Sequence, residues 1–134
     1  MANFVRTEND PLGVFLEEGK YQDETLDSTG AATWKAGMIL ARLTSGGNLR
    51  PYDSGGSGGA EIPIAVLRQE VVWSGAGTQP ARVLISGVVR VNGAKGLHVY
   101  NGGTPQEPTA AERDELRDYG IIGRDVPDTS VLDN

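Results

Sequence analysis

Apolar residues along this chain come in short runs separated by glycine- and serine-rich turns, a pattern of strands; only one stretch, near the C-terminus, reads as a helix. Residues 1–30 hold no sustained period of 2 or 3.6. Phe4, Val5, Leu12, Val14, Phe15 and Leu16 are apolar, but Pro11 and Gly13 interrupt them and Glu17-Glu18-Gly19-Lys20 breaks any packed element. Lys20 to Asp27 is polar apart from Tyr21 and Leu26. The expectation for residues 1–30 is an extended, β-capable arm that binds something else, with a disordered leader as the alternative. Its six apolar side chains together with Tyr21 are the candidate contacts.

From Trp34 the pattern changes. Trp34 to Leu43 reads as a strand entered through Gly37, Ser45-Gly46-Gly47-Asn48 as a turn, and Leu49 to Tyr52 as the return of a hairpin. Ser54-Gly55-Gly56-Ser57-Gly58-Gly59 reads as a flexible surface loop. Ala60 to Leu67 follows as a buried strand, then Glu70 to Trp73, and Ser74 to Pro80 as a glycine-rich connection. The longest apolar run is Ala81 to Val91, where Gly87 predicts a bulge or a bend at a barrel corner, so this strand should serve two parts of the sheet. Asn92-Gly93 is a hairpin signal, with Ala94 to Tyr100 as the returning segment.

The helix spans about residues 109–119. Thr109 and Glu112, three apart after Pro108, form a capping box, and Gly120 supplies the C-terminal cap. Leu116 and Tyr119 share a face able to pack on the sheet, and Ile121-Ile122 should form a short edge strand. The reading is therefore a mainly β, barrel-like domain over residues 31–123 with one short C-terminal helix, preceded by the arm and followed by an acidic tail, 124–134.

Composition narrows the function. The 134 residues suit one domain, and 19 glycines with only 6% aromatics leave few bulky anchors for a deep core. Apolar strand faces buried between subunits would compensate, with Trp73, Val83, Ile85 and Val89 as candidates for a trimer contact. There is no cysteine, hence no disulfide and no thiolate metal site. The net charge is −6, with acidic residues concentrated toward both ends, and the mildly basic middle lacks clustered cations with interleaved aromatics. Nucleic acid is excluded as a partner on that ground. No segment is long and apolar enough to span a bilayer, and Met1 to Arg6 lacks the start of a secretory signal, so no membrane association and synthesis in a cytoplasm are expected.

Candidate chemistry is sparse. His98 is the single histidine, between Leu97 and Val99, with no second histidine or cysteine to complete a metal set or a nucleophilic pair. Glu112, Asp114, Glu115 and Asp118 lie on the helix and read as a solvated face. The Gly/Ser loop lacks the lysine and hydroxyl residue of a phosphate loop, and no calcium loop is present. No catalytic residue, metal or cofactor is expected. Trp34, Tyr52, Trp73 and Tyr100 are core or interface residues, or alternatively a stacking platform for sugars.

In order and spacing the chain resembles the lambda-type head decoration proteins of tailed bacteriophages. The likeness lies in Ala36-Gly37-Met38-Ile39-Leu40-Ala41, then Leu49-Arg50-Pro51-Tyr52-Asp53, a glycine-rich gap and Ile64-Ala65-Val66-Leu67. It continues through Ala81 to Val91, Thr109-Ala110-Ala111-Glu112, Leu116 and Gly120-Ile121-Ile122. The resemblance implies a β-clip-like fold, a homotrimer at threefold and quasi-threefold positions on the outer surface of the expanded capsid, and an N-terminal arm pairing with the major capsid protein. The implied role is structural: stabilisation of the virion head against internal DNA pressure. The longer acidic ends and the Gly/Ser loop depart from the family pattern. A carbohydrate-binding β module of a virion surface or tail is the alternative.

Overall fold

The structure, a computed structural model, describes residues 19–91, 96–101 and 104–124, apart from the Arg90 side chain. Eight strands and one helix follow in the order β1 (Lys20–Ser28), β2 (Ala32–Trp34), β3 (Ile39–Arg42), β4 (Leu49–Pro51), β5 (Pro63–Leu67), β6 (Val71–Trp73), β7 (Gly77–Arg90), α1 (Ala110–Asp118) and β8 (Ile121–Arg124). The chain is thus mainly β with one short helix near its C-terminus. Five strands, in the order β1-β4-β3-β5-β7, close into a barrel through pairing of β1 with β7; β8 extends β7, and β2 pairs with β6 in a separate two-stranded sheet.

The polar stretch from Lys20 is not part of an arm. It forms β1, antiparallel to β7 from Tyr21 opposite Leu84 to Ser28 opposite Gly77. Its hydropathy conceals this because the attachment is mostly main chain: Leu26 is its one fully buried apolar residue, and the Glu24 carboxylate accepts from both Nη1 and Nη2 of Arg42 at 3.0 and 2.9 Å. Tyr21 is half-buried against the core, with the Arg68 guanidinium 4.9 Å from its ring centre. The β domain therefore includes Lys20–Ser28 and does not begin at residue 31. Phe4, Val5, Leu12, Val14, Phe15 and Leu16 lie outside the described residues, as does the acidic tail beyond Arg124.

The hairpin of β3 and β4 forms as expected, with Gly46 and Gly47 at φ 88° and 75° and Leu43 N–H donating to the Asn48 carbonyl. Trp34 does not belong to that strand but to β2. The Gly/Ser segment is tied down rather than loose. Thr44 N–H donates to Gly58 O and Asp53 N–H to Ala60 O, both at 2.9 Å, and Gly59 presses on the Arg42 carbonyl so closely that no Cβ fits.

β7 begins at Gly77, earlier than the apolar run, because β1 supplies main-chain partners to the polar residues Thr78 and Gln79. Pro80 is tolerated there: β5 pairs with β7 only at Val83 and Leu84, so Pro80 has one open edge. At Gly87, φ 149°, β7 changes partners from β1 to the parallel strand β8. The expectation that this strand serves two parts of the sheet is met. Asn92-Gly93 lies outside the described residues, and the segment after it does not return along β7. His98 instead bridges Met38 in parallel, with His98 N–H on Gly37 O at 3.0 Å and Ile39 N–H on His98 O at 2.9 Å.

The capping box is present in α1: Thr109 Oγ1 accepts from Glu112 N–H at 3.2 Å and Glu112 Oε1 from Thr109 N–H at 2.8 Å. Gly120 ends the helix at φ 90°. Leu116 is fully buried, but Tyr119 is 49% exposed, so the two do not share a packed face; Tyr119 has already left the helix as its cap.

Consecutive strand residues feed two cores. One gathers Leu26, Leu40, Leu49, Ala65, Leu67 and Val83, a contribution from every barrel strand, and is closed by the Trp34 and Trp73 rings, 4.9 Å apart. The other takes their neighbours Ile39, Ala41, Val66 and Leu84 together with Val89, Leu116 and Ile121, where α1 and β8 pack. At roughly 1.5–3 kcal/mol for each large apolar side chain removed from water, two such cores make up for the scarcity of aromatics.

Candidate functional site

The residues expected at a trimer contact are inside the protomer. Val83 and Val89 are fully buried and Trp73 nearly so: Val83 and Trp73 pack in the core closed by the β2–β6 sheet, and Val89 in the core under α1 and β8. They have no surface left for another chain. Ile85 is half-buried against the Trp34–Trp73 core. Among the described residues the large apolar side chains that remain outside are Ile62, Val72, Tyr119 and Ile122, and Val72 is the most exposed of them at 65%.

The proposed sugar platform is dismantled in the same way. Trp34, Trp73 and Tyr52 are core residues, and burial reinforced by the negative charge of Glu112 raises the Tyr52 phenol well above its ordinary pKa. Only Tyr100 keeps part of its ring at the surface. His98 is buried, with Nδ1 3.1 Å from Gly96 O, and desolvation, with a lesser contribution from Lys35, holds its pKa below the ordinary value. The helix carboxylates Asp114, Glu115 and Asp118 are exposed, and Glu112 is occupied by the cap. Among the described residues no three His, Asp or Glu side chains gather where a metal ion would bind, and no helix is long and apolar enough to cross a membrane.

What the topology does create is a cleft between β1 and β4. These two strands run parallel and meet only at Leu26 opposite Leu49. Pro51, two residues on, has no N–H to continue a ladder, and the strands part. The opening has an inner recess of about 130 Å³, floored by Trp34 and walled by the β1–β2 turn Ser28–Ala31, and an outer basin of about 440 Å³ reaching Asp53, Ser57 and Asn101. Thr29, Arg50, Pro51 and Tyr100 line both parts, making one continuous groove. Arg50 bridges the gap with Nη2 3.4 Å from Asp27 Oδ2, while its Nε is buried with no hydrogen-bond partner. A buried donor without an acceptor is costly and uncommon. Sequence reasoning missed this groove because Asp27, Arg50 and Tyr100 are far apart along the chain, and only the β1–β4 contact brings them together.

The chain matches no known protein family, and no characterised protein is significantly similar to it.

Proposed function

We propose that this chain is a lambda-type head decoration protein that binds the outside of the expanded phage capsid as a homotrimer and stabilises it. The observation that carries the reading is the coincidence of motif and element. The stretches that resemble the family fall on packed elements of one domain, namely β3, β4, β5, β7, α1 and β8 in family order, with the glycine-rich gap between β4 and β5. The likeness therefore runs through the parts that determine a fold rather than through scattered surface strings. The arm in this reading is residues 1–18, whose apolar members Phe4, Val5, Leu12, Val14, Phe15 and Leu16 engage the major capsid protein by strand addition. A trimer contact has to use side chains still outside, of which Ile62, Val72, Tyr119 and Ile122 are the large apolar ones among the described residues.

Such a protein acts by linkage: it favours the expanded shell by its differential affinity for that state, and three arms on one trimer gain roughly two to four orders of magnitude in avidity over one arm. Mixing with expanded and unexpanded heads followed by sedimentation tests the reading. Saturable co-sedimentation with expanded heads, abolished by deletion of residues 2–18 without change in the domain's melting temperature, is the expected result. No binding to expanded heads overturns the assignment, and full binding by the deletion mutant moves the attachment from the arm to the barrel.

A further inference from the structure

We propose that the groove between β1 and β4 is a binding site for a neutral saccharide, with Arg50, Asp27 and Tyr100 as its contacts. Its recess and basin together fall in the range of roughly 300–1,000 Å³ usual for small-ligand sites. The side chains facing each other across it are a planar donor and a planar acceptor. The Arg50 side chain, 36% exposed and with a single ion contact among the described residues at 3.4 Å, has Nη donors to give, and Asp27 carries carboxylate oxygens whose one ion-pair partner among the described residues is that guanidinium. A pair of adjacent hydroxyls, each both donor and acceptor, satisfies such a couple at once: one oxygen accepts from arginine while the neighbouring hydroxyl donates to aspartate. Tyr100, partly buried against the Trp34–Trp73 core, lines both parts of the groove and supplies an aromatic side chain of the kind that packs on the C–H side of a pyranose, while Thr29, Ser57 and Asn101 add hydrogen-bonding groups around the basin.

The chemistry argues against the competing ligand classes. An anion would find Arg50 already facing Asp27, with Asp53 on the outer wall and a net charge of −6 on the chain. An extended peptide adds to a length of open strand edge, whereas beyond Leu26 the groove side of β1 has only Asp27 and Ser28 before the strand ends, and β4 ends there at Pro51, which has no N–H. The proposal is independent of the capsid reading, since no residue of the groove belongs to residues 1–18 or to the exposed apolar residues Ile62, Val72, Tyr119 and Ile122.

The test is amide chemical-shift mapping of the full-length protein titrated with the methyl glycosides of glucose, galactose, mannose and rhamnose, with acetate and sulfate as anionic probes. At least one glycoside should shift the amides of residues 27–32, 50, 52, 53 and 100–101 in a saturable way. Tyr100→Phe should retain binding, while Tyr100→Ala and Arg50→Gln should weaken it tenfold or more, and Val72→Thr should leave it unchanged. Melting curves of the same samples show whether each variant is folded, and Tyr100→Phe with Val72→Thr keep the test decisive if Arg50→Gln is not. The absence of saturable shifts from every glycoside, or stronger binding by acetate or sulfate that Asp27→Asn enhances, overturns the proposal.

Discussion

Gly19 and Gly87 touch through their backbones at the barrel corner: a Cβ added to Gly87 would lie 3.1 Å from Gly19 Cα, and one added to Gly19 would collide with the Ser86 carbonyl oxygen. The two glycines form a notch through which the chain enters the domain, immediately before β1. Gly87 also needs its φ of 149°, which side-chain-bearing residues rarely adopt. Gly19→Ala should therefore lower stability by about 1–3 kcal/mol, the usual penalty for overpacking, and Gly87→Ala by at least as much. Thermal or urea unfolding measures both. A melting point unchanged in Gly19→Ala would show that the entry to β1 has room.

Trp73 distinguishes a core role from an interface role. Its ring packs on Trp34 inside the protomer, and its buried Nε1 has no hydrogen-bond partner among the described residues, so what the structure shows of its contribution is apolar contact. Trp73→Ala should cost about 3–5 kcal/mol, as large aromatic truncations in cores do. The loss should be the same at low and high protein concentration. A concentration-dependent loss, with the monomer unaffected, would place Trp73 in a contact between chains.

His98 gives the domain a pH dependence with a definite sign. Burial depresses its folded pKa below the unfolded value of about 6.5, so the folded state holds fewer protons than the unfolded chain in that range. The stability present above pH 6.5 is lost as pH falls toward the folded pKa. His98→Asn keeps a donor near Gly96 O and does not titrate. The melting temperature of the native protein should fall between pH 7.5 and 5.5 by more than that of the variant. Parallel pH profiles would mean that His98 becomes protonated without cost.

The legible features were those in which one residue type performs one backbone task. Gly87 as a corner and Thr109 with Glu112 as a cap are visible because few residues do these things, and the structure has them in place. β1 was illegible for the opposite reason: a strand held by main-chain pairing and one buried leucine carries almost no hydrophobic pattern. Trp73, Val83 and Val89 read as interface residues because apolar residues buried inside a protomer have the same composition as ones buried between subunits; Ile85 is half-buried. The cleft is a property of topology. Nothing local to Asp27 or Arg50 announces that two parallel strands touch at one residue pair and then separate.

β7 contributes Val83 to one core and Leu84 to the other, pairs with β1, β5 and β8, and bends at Gly87 without a break. A single backbone thus runs through every cooperative unit of the domain. Departure of β7 would therefore open both cores at once. The barrel and the helix-capped corner are therefore bound to melt as one all-or-none event, and the most slowly exchanging amides should cluster along this strand.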